Sequence, residues 1–241
     1  MLASEATTPS LTSRLRRSCS TRSHYNKRNL NNSHDKMPNT AAFRLEKVAE
    51  ANFPTRWGQF RIFGFAGHYG ERVEEAVVLK MGELAGDPAP LVRIHSQCLT
   101  GDVFHSLRCD CRAQLELSLA LITEEGRGLL IYEHQEGRGI GLLNKLRAYE
   151  LQDHGADTVE ANEQLGFDAD LRNYELPGAI LRYFGLTKVR LISNNPEKVE
   201  AVERAGVQVV ERVPCLVDPV DSSEAYLRTK KDKMGHLIDG L

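Results

Sequence analysis

No apolar run in this 241-residue chain approaches the ~20 residues needed to cross a bilayer, which argues against an integral helical membrane protein. No internal repeat is visible either, so solenoid and propeller architectures are not expected. A large net charge is also missing: 31 Lys/Arg against 33 Asp/Glu leave −2. The charge that exists is uneven. Residues 1–36 hold seven Lys/Arg and two acids, +5, which leaves −7 for residues 37–241. A body of that sign is not a general nucleic-acid binder, and any anion site in it must be a local gathering of cations. Cysteine is scarce, at five, and no secretory signal places the chain in an oxidising compartment, so a disulfide framework is not expected. What remains is an ordinary globular composition, 41% hydrophobic and 27% charged, with length enough for one large domain or two small ones.

The first ~40 residues, rich in Ser, Arg, Asn and Thr without apolar periodicity, read as a disordered tail. Their low acid content also fits an organelle transit peptide, a true start at Met37 is another reading, and a nucleic-acid arm is a further one. From residue 41 to 241 the pattern is that of one domain. Trp57–Phe65, Glu75–Glu83 and Ala89–Ser96 are short strand-like segments parted by Gly, Asp and Pro, which predicts an antiparallel sheet. Ala113–Glu125 is a leucine-rich helix stopped by Gly126, Leu129–Glu133 a buried strand, and Ile140–Asp153 a second helix. Lys188–Ile192 and Val207–Val213 are strands flanking a helix that Asn195 caps and Pro196 opens. Ser222–Leu237 is predicted as a polar C-terminal helix. Together these give an α/β fold, a mixed sheet with an antiparallel N-terminal half and an α/β C-terminal half.

Three of the five cysteines, Cys98, Cys109 and Cys111, lie within fourteen residues in a C-x10-C-x-C pattern. Three thiols offer three ligands to a tetrahedral metal and leave one position open, the arrangement of catalytic rather than structural zinc. Incidental burial is the plain alternative; a Cys109–Cys111 disulfide is sterically awkward. A fourth ligand from Cys215 or a histidine stays open, with His95, His105 and His134 read as structural. Two strand-to-helix junctions could hold anions: Gly137–Gly141, flanked by Glu136 with Arg138 inside it, and Asn194–Lys198. Lys198 opposes the dipole of its own helix and needs an anion or a carboxylate, with Glu197 the nearest candidate. Arg93 adds a third cation near the thiols. Asp170 and Arg172, two residues apart, face one side of an extended segment, where a surface ion pair is the plain reading. Tyr149 falls within a helix, where a core tyrosine is ordinary.

The segments Arg-Ile-His-Ser-Gln-Cys-Leu-Thr-Gly-Asp, Leu-Arg-Cys-Asp-Cys, Gln-Glu-Gly-Arg-Gly-Ile-Gly-Leu, Asp-Thr-Val-Glu-Ala-Asn and Ser-Asn-Asn-Pro-Glu-Lys resemble GTP cyclohydrolase II, in order, from about residue 43 to 240. The resemblance implies a zinc-dependent enzyme that opens the guanine ring of GTP, releasing formate and pyrophosphate, at the first committed step of riboflavin synthesis. It implies zinc on Cys98, Cys109 and Cys111, Mg2+ with the triphosphate, a proton acceptor at Asp170, a proposed arginine nucleophile at Arg172 and a catalytic tyrosine at Tyr149. It implies nucleotide contacts at Arg93, Ile94, His95, Ser96, Gln97, Gln114, Glu136, Gly137, Arg138, Thr158, Ser193 and Lys198. It further implies a cytoplasmic homodimer with no nucleic-acid or membrane partner. Two departures are visible: Gln97 stands where the family usually has Glu, and Ser193 where Thr is common.

The implied chemistry suits these residues. A zinc carrying three thiolates has net charge −1 and acidifies water less than a three-histidine site, so a nearby base such as Asp170 should help. Pyrophosphate loss is a phosphoryl transfer, for which Mg2+ and clustered cations are expected. A free guanidinium is protonated at neutral pH, so Arg172 can equally be a phosphate clamp as a nucleophile. A paralogue acting on another nucleotide, or a zinc-stabilised binding protein without turnover, would be expected to lose some of these residues.

Overall fold

The computed structural model describes residues 43–217 and 224–237. The tail expected over residues 1–40, the alternative start at Met37 and the first two residues of the helix expected over Ser222–Leu237 lie outside the described residues. The described chain forms an α/β fold on one seven-stranded mixed sheet. Strands β1 (Arg44–Thr55), β2 (Gly58–Tyr69) and β3 (Arg72–Met81) make an antiparallel meander. Strands β4 (Leu91–Ser96), β5 (Gly128–Glu133), β6 (Lys188–Ile192) and β7 (Gln208–Val213) complete the order β1-β2-β3-β5-β4-β6-β7. Only β5 joins the two halves, antiparallel to β3 and parallel to β4.

The expected antiparallel front half therefore needs a correction at Ala89–Ser96. That segment, β4, pairs in parallel with β5 and β6. The chain makes its crossover through the short helix α1 (Leu99–Asp102) and α2 (Cys111–Glu125) before returning as β5. A parallel return requires such a crossover, whereas a hairpin would have made the pair antiparallel. The sequence of β4, Leu-Val-Arg-Ile-His-Ser, has buried residues at five consecutive positions, as expected for a strand covered on both faces. Strand β1 had no sequence signal because it is a largely exposed edge strand, rich in charge and broken by a bulge between Lys47 and Ala49.

Alternating residues divide the core in two. Val92, Ile94, Leu129 and Ile131 pack with α5 (Glu175–Tyr183) and α6 (Pro196–Arg204), while Leu91, Leu130 and Ile192 pack with Leu119 and Ile122 of α2. Each fully buried aliphatic chain here stabilises the fold by about 1.5–3 kcal/mol. Helix α5 was not foreseen, because Pro177-Gly178 resembles a turn. Pro177 is tolerated in the first helical turn, where its missing N–H has no partner to lose. Gly178 is required by packing: a Cβ there would lie 2.5 Å from Ala205 Cβ at the end of α6.

The remaining helices are α3 (Leu142–Asp153), α4 (Thr158–Gln164) and α7 (Glu224–Met234). Because β4 leads to α2 on one face and β6 leads to α6 on the other, their carboxyl ends diverge. Such a switch point opens a crevice beyond the strand ends, where ligands of parallel sheets bind.

Candidate active site

The crevice holds a cavity of about 650 Å³ whose lining includes Ser96, Gln97, Cys98, Cys109, Cys111, Glu136, Gly137, Arg138, Tyr149, Thr158 and Arg172. A narrow annexe of about 80 Å³ adjoins it through Ser96, Cys111, Arg138 and Arg172. Arg93, His95, Gln114, Ser193 and Lys198 line the annexe. Residues from the end of β4, the loops after β5 and β6, and the helices α2, α3, α4 and α6 thus meet in one place.

At one end the three thiols converge. Their sulfurs lie within 4.8 Å of one another, and Cys98 Sγ is 3.6 Å from Cys109 Sγ. Tetrahedral zinc with ~2.3 Å bonds sets its sulfurs roughly 3.8 Å apart, so the trio suits that ion. Gly101 backs the cluster. A Cβ there would lie 3.0 Å from Cys109 Sγ and 3.1 Å from Cys98 Sγ, so any side chain would invade the space between them. Hydrogen bonds from the Cys109 and Cys111 thiols hold the Cys98 thiol far below its usual range. The same contacts, with Cys109 first and then Cys98, push Cys111 well up. Three thiols this close share one negative charge unless a cation joins them.

The cluster is braced from outside. Lys145 donates to Cys98 Sγ at 3.1 Å and to Glu136 Oε1 at 2.6 Å. Asp102 accepts from Cys98 N at 3.0 Å and Tyr132 OH at 2.8 Å, with His95 Nε2 at 3.2 Å. Burial pushes the His95 imidazole down despite the Asp102 carboxylate. Tyr149 OH lies 3.0 Å from Thr100 Oγ1, and its ring sits under Arg108. No histidine joins the thiols among the described residues, and Cys215 is turned away, 3.7 Å from Ser118 Oγ in the α2 core.

The other end is cationic. Arg93 is buried and donates to Gln114 Oε1 at 2.6 Å and to the Ile192 carbonyl at 3.0 Å. Lys198, also buried, donates to the Ile94 carbonyl at 2.8 Å and lies 3.4 Å from Ser96 Oγ. Burial, with Arg172 and Arg93 beside it, pushes the Lys198 ammonium well down. The partner expected for Lys198, Glu197, is exposed, because the lysine reaches back under the strand ends. Asn195 itself caps α6, accepting from Glu197 N at 3.0 Å. Ser193 Oγ accepts from Asn195 N at 3.1 Å.

Asp170 and Arg172 form a close ion pair, but not on the surface. Arg172 Nε donates to both carboxylate oxygens, at 2.9 and 3.0 Å, and both side chains are nearly buried. Burial works against the Asp170 carboxylate, yet the Arg172 guanidinium holds it below its usual range.

The Gly137–Gly141 turn differs from an open phosphate cradle. Its Gly137 N–H donates to Glu136 Oε1 at 3.2 Å, and Leu99 N donates to Glu136 Oε2 at 2.7 Å. Glu136 is thus the turn's own anion. The turn acts instead by aiming Arg138, whose φ of +62° is rare for a residue with a Cβ. Both Arg138 Nη atoms are buried with no partner among the described residues. Such orphaned donors are costly unless a ligand meets them.

Ile94 enters only through its carbonyl, its side chain being core. Gln114 links Arg93 to Asp110. Gln97 and Thr158 border the larger cavity. Sequence reasoning missed Lys145, Asp102, Tyr132 and the buried Glu133, whose carboxyl burial pushes up to about 7. It also missed Lys230 and His236 in the annexe wall. None carries a local pattern that could have marked it.

A family model described as GTP cyclohydrolase II matches residues 46–214. GTP cyclohydrolase-2 of Shewanella amazonensis is 53% identical over 194 residues, covering 80% of this chain and 94% of that protein. GTP cyclohydrolase-2 of Yersinia pestis is 53% identical over 199 residues, covering 81% and 98%. That of Escherichia coli K12 is 52% identical over 200 residues, covering 81% and 99%. Among solved structures, RibBX of A. baumannii, a two-domain 3,4-dihydroxy-2-butanone 4-phosphate synthase, matches with a TM-score of 0.40 and 17% identity over 72% of this chain and 40% of that one.

Proposed function

The chain belongs to the GTP cyclohydrolase II family, and from that membership we propose that it hydrolyses GTP to 2,5-diamino-6-(5-phospho-ribosylamino)pyrimidin-4(3H)-one, formate and pyrophosphate, the first committed step of riboflavin biosynthesis. The observation that carries this reading is the pairing of three converging thiols with a cluster of buried cations across one cavity. A substrate with a ring to be opened at one end and a triphosphate at the other spans such a cavity.

We assign zinc, one per chain, to Cys98, Cys109 and Cys111; their spacing and the gap kept by Gly101 fit that ion. Bound there, zinc would supply Lewis acidity to a water, less than at a three-histidine site, so that a base such as Asp170 would be needed to complete its activation. Lys145 steadies the Cys98 thiolate and orients Glu136 at the wall of the same cavity. Mg2+ is assigned to the triphosphate, whose charge it would share with Arg93, Arg138, Arg172 and Lys198. A homodimer in the cytoplasm is the setting in which we place the enzyme; no helix among the described residues is long and apolar enough to cross a membrane.

Asp170 is ionised beside Arg172, as a proton acceptor must be. The same pair bears on Arg172. A carboxylate held against a guanidinium favours its protonated form, which has no free nitrogen lone pair for attack. The ion pair therefore supports a phosphate clamp over a covalent nucleophile. We assign Tyr149 a catalytic part at the ring end, supported by its position bordering the cavity near the thiols.

The test is to incubate the purified protein with GTP, Zn2+ and Mg2+ and to measure formate and the pyrimidine product. Stoichiometric formate and pyrophosphate are expected. Pyrophosphate release without formate from the fully zinc-loaded protein would defeat the assignment.

A further inference from the structure

The C-terminal segment bears on the cation end in a way that neither motifs nor site assignments anticipate. Lys230, buried on α7, donates to Asp110 Oδ1 at 2.8 Å, between two of the thiol positions. Lys233 pairs with Glu160 of α4 at 3.0 Å. Beyond the helix, His236 N donates to the Lys230 carbonyl at 3.1 Å and Leu237 N donates to the Asn194 carbonyl at 2.9 Å. These bonds strap the segment to the start of α2, to α4 and to the loop after β6, and His236 lies in the wall of the annexe.

That wall already holds Arg93, Arg138, Arg172, Lys198 and Lys230. Asp170 answers Arg172, Asp110 answers Lys230, and Glu133 lies within the field of Lys198. Among the described residues, Arg138 has no hydrogen-bond partner for either Nη atom. Burial pushes the His236 imidazole down to about 3, and Lys230, Arg172, Lys198 and Arg138 add to the effect. So positive a pocket keeps that imidazole neutral, with one ring N–H and no added charge. A polyanion filling the annexe would give that N–H an acceptor, because an imidazole N–H can donate to a phosphate oxygen.

We infer that the C-terminal strap completes the polyphosphate end of the site and that His236 is a direct phosphate ligand. The identity of the polyphosphate as that of GTP rests on the function proposed above; the site itself calls only for a di- or triphosphate.

His236→Phe and His236→Gln test this in the full-length, metal-loaded enzyme. Phenylalanine keeps the ring's bulk and loses its donor, whereas glutamine keeps an N–H donor and loses the ring. For His236→Phe, the KM for GTP and the Kd for inorganic tripolyphosphate should each rise about tenfold, the size of a lost charge-assisted hydrogen bond. Its kcat and its affinity for guanosine should stay within about twofold of wild type, and His236→Gln should bind tripolyphosphate within about threefold of wild type. Tripolyphosphate binding by His236→Phe equal to wild type would overturn the inference. So would a phenylalanine variant that binds well beside a glutamine variant that does not, since bulk would then be the requirement. The tripolyphosphate measurement needs no turnover, so a failure of GTP ring opening in the wild-type protein would be distinguished from a failure of His236.

Discussion

The two ends of the cavity are built in opposite ways. The thiol end draws its three sulfurs from fourteen consecutive residues and is braced by Lys145, Glu136 and Asp102. The cation end draws Arg93, Arg138, Arg172, Lys198 and Lys230 from positions spread over more than half of the chain. A metal site can be local because its ligands need only converge on one point at short range. A phosphate site needs charge from several directions, and a single loop cannot supply it. The contrast also divides the chemistry, with an anionic cluster suited to a metal ion and a cationic one suited to a polyanion.

The sharpest way to break this division is Cys109→Ser. Metal content measured by elemental analysis should fall from about one zinc per chain to near zero, and formate release by roughly a thousandfold or more. Pyrophosphate release from GTP should survive if the ends act separately; equal loss of both products would mean that they do not. Arg172→Ala should act from the other end, lowering pyrophosphate release by about a hundredfold with full zinc retained. Arg172→Lys distinguishes charge from the planar fork, because lysine keeps only the first. Substantial turnover in the lysine variant would favour simple electrostatic stabilisation.

Arg138→Ala comes next. It removes the guanidinium with both Nη atoms orphaned, so KM for GTP should rise by about ten- to a hundredfold while zinc content is unchanged. A normal KM would place the phosphates elsewhere. Glu133→Gln probes the buried carboxyl beneath the cations. Its pKa is raised to about 7 by burial, so the folded state binds a proton that the unfolded chain, near 4.5, has released. Stability from this group is therefore present below about pH 4.5 and is lost as pH rises through about 7. Denaturant melts should show that decline between pH 5 and 8 in the wild type and a flatter profile in the glutamine variant. The smallest effect is expected at Asp157→Ala, which removes the capping box of α4 beside Thr158. A loss of about 1 kcal/mol is expected, read as a melting point lower by about 2–4 °C.

The parts of the fold legible in the sequence were those with strong local patterns. Leu129–Glu133 and Lys188–Ile192 are compact buried strands, and Asn195-Pro196 opens a helix where its cap and first-turn proline say it should. Strand β1 and helix α5 were not legible, since one is an exposed, charged edge and the other carries Pro177-Gly178. At the site, the three cysteines declared themselves by spacing. The roles proposed for Asp170, Thr158 and Ser193 had no such mark and rest only on resemblance to a family.

By itself the sequence determined the α/β class, the thiol trio and the strand-to-helix junctions, because each depends on neighbours within a few turns of chain. Only the tertiary structure decided that β4 lies inside the parallel half, that Lys198 turns from Glu197 towards the Ile94 carbonyl, and that Glu136 fills its own glycine turn. It also brought Lys230 and His236 to a cavity whose other walls come from β4 and the loops after β5 and β6. Those outcomes depend on which strand ends diverge in space, and a charge buried there is governed by groups tens of residues away, whose effect no local pattern records.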